Sequence, residues 1–128
     1  MVKFETSRFG ALSVAEDHII NFKNGILGFP NLHRYVLLEC GNTPLKWLHS
    51  VDDPQVAFVV ADPTMISGEG TITVGDDILR FLQIEKEDDL AVLIMVRFEN
   101  DKIVANLDGP IAINSSRMLG VQALLDRG

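Results

Sequence analysis

The chain has 128 residues, 47% of them apolar and 23% charged, with one cysteine and a formal net charge of −7. That length suits one domain with a single core, the composition excludes disorder, and a lone Cys40 excludes an internal disulfide framework and points to a reducing cytoplasm. Residues 52–89 hold ten acidic residues against two basic ones, Arg80 and Lys86, while the rest of the chain is close to balanced. A phosphate-backbone binder needs the opposite sign, so direct nucleic-acid binding is disfavoured.

From the N-terminus, Met1-Val-Lys-Phe-Glu meets charge too early for a signal-peptide core, and the longest apolar run, residues 90–96, is far too short to span a membrane. Residues 2–9 alternate loosely as a first strand, residues 11–14 continue it, and Glu16-Asp17-His18 turns into a short strand at 19–22. Asn24-Gly25 is a tight-turn signal because both residues tolerate positive φ, and Gly28-Phe29-Pro30 breaks the chain again. Residues 23–31 therefore form a glycine-punctuated loop whose Ile26, Leu27 and Phe29 are either folded over the core or offered to a partner. Residues 35–38 are a further strand.

Trp47-Leu48 closes the next strand, and Val51-Asp52-Asp53-Pro54 is a turn. Residues 56–61 are a continuous apolar run bracketed by Pro54 and Pro63, the pattern of a strand in the middle of a sheet. Residues 71–74 alternate like an edge strand. Asp76-Asp77 ahead of Ile78, Leu79, Phe81 and Leu82 predicts a short helix capped by aspartate. Residues 90–98 are a second central strand, Asn100-Asp101 is a hairpin turn into residues 103–107, and Asp108-Gly109-Pro110 turns once more into residues 111–113. The tail, 118–125, is compatible with a strand or a helix. Many short strands with Gly, Pro and Asn turns predict an all-β, single-domain antiparallel barrel-like fold with one short helix.

Catalytic and metal chemistry finds little support. His18, His33 and His49 lie in different segments without ligand spacing, and His49 reads as the outward member of a strand. His49, Ser50 and Asp52 are the residue types of a hydrolytic triad, but neighbours on a strand point to opposite faces and cannot form the relay. Gly25-Ile-Leu-Gly28 is formally a G-x-x-G, yet it sits between strands with an apolar centre, unlike a basic nucleic-acid clamp. No cofactor, no metal and no enzymatic activity are expected. Trp47 divides between a core aromatic and an interface anchor.

In order and spacing, Phe22-Lys-Asn-Gly-Ile-Leu-Gly-Phe29, Trp47-Leu-His-Ser-Val-Asp-Asp-Pro54 with Phe58 and Asp62-Pro63, and Asn106-Leu107, Pro110-Ile-Ala-Ile-Asn114, Arg117 and Gln122 resemble the bacterial flagellar assembly factor FliW family. The resemblance runs from about Phe9 to Gln122. Leu27 stands where the family usually has proline, His49 where it has glutamine, and Gly109 where it has alanine. The resemblance implies a cytoplasmic, non-enzymatic regulator that binds flagellin and the RNA-binding translational repressor CsrA, with the two partners competing. The surface expected to serve them comprises Gly25, Ile26, Leu27, Gly28 and Phe29, the acidic residues Asp62, Glu69, Asp76 and Asp77, and Asn106, Pro110 and Asn114. A monomer is expected, acting without direct nucleic-acid or membrane contact; the alternative is a β-barrel that binds mRNA itself.

Overall fold

A computed structural model describes residues 1–67 and 72–124. Strands β1 (Val2–Thr6) and β2 (Gly10–Val14) form a separate antiparallel hairpin. The remaining strands are β3 (Ile20–Phe22), β4 (Arg34–Glu39), β5 (Lys46–Ser50), β6 (Ala57–Ala61), β7 (Leu90–Glu99), β8 (Lys102–Asn114) and β9 (Leu119–Gln122). They close into a seven-stranded barrel in chain order. Each strand is antiparallel to the next, but β9 meets β3 in parallel. An odd number of alternating strands brings the first and last together running the same way, so the all-antiparallel expectation fails at that one seam.

The interior is filled by Ile20, Phe22, Tyr35, Leu48, Val60, Ile111 and Ile113. Phe22 and Tyr35 pack edge to face with ring centroids 5.1 Å apart, the geometry aromatic quadrupoles favour. Gly120 lies opposite Phe22, and a Cβ there would come within 2.5 Å of the Phe22 ring. The missing side chain makes room for the aromatic one.

The β1–β2 hairpin lies over the outer face of β4 and β5, where Phe4 packs with Ile19, Val36 and Val51. His49 does face outward from the barrel wall, but the hairpin covers it completely. Its ring lies 6.0 Å from that of Phe4 and 6.4 Å from that of Phe9, and Nδ1 lies 2.7 Å from the Ser50 carbonyl oxygen. The expected exposed histidine is thus buried, because a second layer sits where solvent was expected. Trp47, one row away, is half-buried beneath Phe9 and the Arg8 guanidinium, which lies 4.9 Å from the ring centroid.

Among the described residues a second short α-helix joins the expected one: α1 (Pro63–Ser67) precedes α2 (Asp76–Phe81). Asp62-Pro63 ends β6 and also starts α1. Pro63 takes the first helical position, and Asp62 Oδ1 accepts hydrogen bonds from the Thr64 amide (2.9 Å) and hydroxyl (2.7 Å). In α2 the cap position belongs to Gly75, without a side-chain bond, and Asp76 and Asp77 occupy the first turn. There they complement the helix dipole instead of capping it. Residues 72–75 are not a strand; Val74 is buried against Leu82 and Ala112 as the chain enters α2.

Asp108-Gly109-Pro110 is not a chain reversal either. β8 continues through it, and the β7–β8 register jumps from Leu93↔Ile111 to Met95↔Asn106, so residues 107–110 stand opposite Ile94. The extra residues make a bulge, which turn-prone residues with one absent N–H accommodate.

Candidate functional site at the barrel mouth

Strand direction assigns each connection to an end of the barrel. The segments after β3, β5, β7 and β9 lie at one end, the mouth, and those after β4, β6 and β8 at the other. The 25–29 loop follows β3 and folds across the mouth. Gly25 (φ 67°) and Gly28 (φ 90°) supply the left-handed conformations that this tight path requires. Ile26 and Phe29 bond to each other through both backbones, with the Phe29 amide 2.6 Å from the Ile26 carbonyl oxygen.

The loop splits its apolar residues between plug and surface. Ile26 is fully buried in the barrel core, whereas Leu27 is 70% exposed and Phe29 37% exposed. Phe29 stacks edge to face on Phe58 of β6, with centroids 5.7 Å apart. The Leu27 amide donates to Gln122 Oε1 (2.8 Å), and Gln122 Nε2 donates to the Gly109 carbonyl (3.2 Å). One glutamine therefore ties the loop to the β8 bulge.

Two clefts flank the loop. A cleft of about 340 Å³ runs between the loop and β9, walled by Leu27, Pro30, Val121 and Leu124. A second, about 240 Å³, opens between Phe58 and the inner face of the β7–β8 hairpin, lined by Met95, Arg97, Val104 and Asn106. Around the loop the cleft walls are mostly apolar, the character of a surface that gains affinity by burying side chains.

The expected site residues divide accordingly. Gly25, Leu27, Gly28, Phe29 and Asn106 meet at the mouth. Ile26 and Pro110 are buried and support the site from beneath. Asn114 is buried too and serves the fold: its amide donates to the Leu82 (2.7 Å) and Gln83 (3.2 Å) carbonyls, and its Oδ1 accepts from the Ser116 and Arg117 amides. Asp62 leaves β6 at the opposite end, and Asp76 and Asp77 are exposed on α2, which packs against the outer wall of β7–β9. Glu69 lies outside the described residues. Asp62, Asp76 and Asp77 thus stand apart from the 25–29 loop.

Electrostatics reinforce the separation. Hydrogen bonds from the Thr64 hydroxyl and amide hold the Asp62 carboxyl below its usual pKa. At the mouth the Arg34 guanidinium forks onto Asp52, and that hydrogen bond raises its pKa further. Burial pushes the Tyr35 hydroxyl up to about 12, with smaller contributions from Asp52 and Asp53. Among the described residues no group of three His, Cys, Asp or Glu side chains could hold a metal ion, and no helix is long and apolar enough to cross a membrane.

Sequence reasoning missed Phe58, Arg97 and Val104 as mouth residues and the role of Gln122. Only the position of Gln122 among the family-like residues marked it.

The comparisons with known proteins agree with the architecture. Residues 3–128 match the family model described as FliW protein. The flagellar assembly factor FliW of Caldanaerobacter subterraneus subsp. tengcongensis is 34% identical, over 98% of this chain and 86% of the relative. That of Treponema denticola is 32% identical over 99% and 88%, and that of Clostridium beijerinckii 38% identical over 98% and 91%. A crystal structure of a flagellar assembly factor FliW superposes with a TM-score of 0.90 at 34% identity, covering 98% of this chain and 90% of its own.

Proposed function

The chain belongs to the FliW family of flagellar assembly factors, and from that premise we propose that it is a cytoplasmic, non-enzymatic regulator that binds flagellin and antagonises the translational repressor CsrA. The observation that carries this reading is the 25–29 loop: an apolar residue held 70% exposed by a rigid frame of glycines, Ile26 and Gln122. Pre-ordering an exposed leucine in this way lowers the entropy lost when a partner covers it.

Flagellin, a filament subunit that buries apolar surface on assembly, suits the mouth. A basic RNA-binding repressor suits the acidic surface of Asp62, Asp76 and Asp77, where carboxylates steer encounter and select partners. Sequestering flagellin and releasing it on export then couples secretion to synthesis, because the freed factor turns to the repressor.

Calorimetric titration of the protein with CsrA, with and without flagellin already bound, tests the reading. Heat of binding for each partner alone, with CsrA binding lost on preloading because flagellin at the mouth is coupled to the acidic side chains through the domain, is the expected result. Equal CsrA binding in both titrations would remove the exchange step. A mobility shift of flagellin leader RNA by this protein alone would favour the RNA-binding alternative instead.

A further inference from the structure

The pairing of β7 with β6 ends at Val96, while β7 and β8 continue together as a two-stranded arm to the Asn100-Asp101 turn. Both turn residues have positive φ (52° and 63°), so the turn is a two-residue type I′ loop. In such a hairpin Glu99 and Lys102 exchange both hydrogen bonds, and pairs alternate from there. Arg97↔Val104 is therefore hydrogen-bonded, while Phe98↔Ile103 and Val96↔Ala105 are not. The amides and carbonyls of Ile103 and Ala105 consequently point away from β7. On that side β9 pairs only with residues 111–114 of β8, and among the described residues no strand covers 102–106.

Side chains add to the backbone pattern. On the outer face of the arm, Phe98 is 61% exposed and Ile103 49% exposed, beside Val96 and Ala105. The strand edge there carries no proline, and its one charge, Lys102, sits next to the turn on the face opposite Ile103 and Ala105. Arg97 and Glu99 pair with each other on the opposite face.

We propose that the free edge of β8 at residues 102–106 accepts an extended segment of flagellin as an added antiparallel strand, running in the direction of β9. The edge itself argues for an extended occupant: its outward donors and acceptors at Ile103 and Ala105 repeat every second residue, about 7 Å apart, which a helix cannot match. The apolar outer face then selects apolar side chains at alternate positions of the guest, the mode of recognition by strand addition. Residues 102–106 carry one cation, Lys102, and no carboxylate, so of the two proposed partners this edge suits flagellin and not a basic repressor. The inference rests on the proposed flagellin-binding function.

Ile103→Pro removes one outward N–H without breaking a β7–β8 bond, and edge positions of this kind tolerate proline. Ile103→Lys charges the edge at an exposed site. Met65→Lys, an equally accessible apolar residue at the other end, is the control. Purified flagellin is titrated into each, with circular dichroism to verify folding, and amide exchange is followed in the wild-type complex. The expected result is an affinity loss of about tenfold for both Ile103 variants, unchanged binding for Met65→Lys, and slowed exchange at Ile103 and Ala105 in the complex. If Ile103→Pro does not fold, Ile103→Lys and the exchange data decide. Tight wild-type binding with unchanged Ile103 variants, or with unprotected Ile103 and Ala105 amides, would overturn the strand-addition proposal alone. Absence of wild-type binding to flagellin would overturn the proposed function and the inference with it.

Discussion

Removing the pin between loop and bulge provides a direct test of how the mouth is built. In Gln122→Ala, the Leu27 amide loses its 2.8 Å acceptor and the Gly109 carbonyl its 3.2 Å donor. Two hydrogen bonds near solvent contribute about 1–2 kcal/mol net, the lower end applying because the freed Leu27 amide can bond water. For a chain of this size, that corresponds to a fall in Tm of roughly 4 °C per kcal/mol. Local effects exceed the global one: the Leu27 amide should exchange with solvent about fivefold or more faster. Gly109→Ala reaches the same end from the other side. A Cβ at Gly109 would sit 2.6 Å from Gln122 Nε2, and the flexible amide must swing away. This variant should reproduce the faster Leu27 exchange with a smaller loss of Tm. Amide exchange by mass spectrometry or NMR is the assay. Unchanged protection of Leu27 in Gln122→Ala would refute the pin and place the order of the loop in its own glycine turns.

Other expectations come from the core and the charges. Tyr35 is fully buried and its hydroxyl meets no hydrogen-bonding protein atom among the described residues, so Tyr35→Phe should be neutral or stabilising by about 1 kcal/mol in urea denaturation. Its raised pKa of about 12 means the folded state keeps a proton that the unfolded chain releases near pH 10. That contribution is complete below pH 10 and falls by up to about 3 kcal/mol as pH rises toward 12, a slope Tyr35→Phe should abolish. Gly120→Ala drives a methyl into the Phe22 ring and should destabilise by roughly 1–3 kcal/mol, measured by the denaturation midpoint. On the proposed reading, charge reversal at Asp76 and Asp77 should slow CsrA association and flatten its salt dependence in stopped-flow traces, leaving flagellin affinity unchanged.

Most strands were legible because their signals are local. The apolar residues 35–38, the apolar run at 56–61 and the Asn100-Asp101 turn each depend on neighbours a few positions away, and the structure places strands and turn there. The parallel closure of β9 on β3 was not legible, since it depends on how many strands the ring contains and not on any segment. Asp108-Gly109-Pro110 carries the composition of a turn, yet pairing with β7 before and after it keeps β8 running on and converts the same residues into a bulge. Asp62-Pro63 carries the signal of a strand terminator, and the same dipeptide also starts a helix. Local chemistry marks a break in a strand but does not specify the next element.

The site was legible in its parts and not in its assembly. Glycines announced a constrained loop between β3 and β4, and that loop does cross the mouth. Nothing nearby in sequence distinguishes Ile26, which plugs the barrel, from Leu27, which projects from it. A partner 95 positions away, Gln122, accepts from the Leu27 amide on the outward side, and no local pattern announces that contact. The acidic residues show the converse. Their clustering in the chain suggests one surface shared with the loop, but β6 carries Asp62 to the far end and α2 holds Asp76 and Asp77 on the outer wall. A barrel sends alternate connections to opposite ends, so closeness in sequence across a single strand becomes separation by the barrel's length. Apolar residues accordingly gather where the loop covers the core, while Asp62 stands where β6 ends and Asp76 and Asp77 stand on the outer wall.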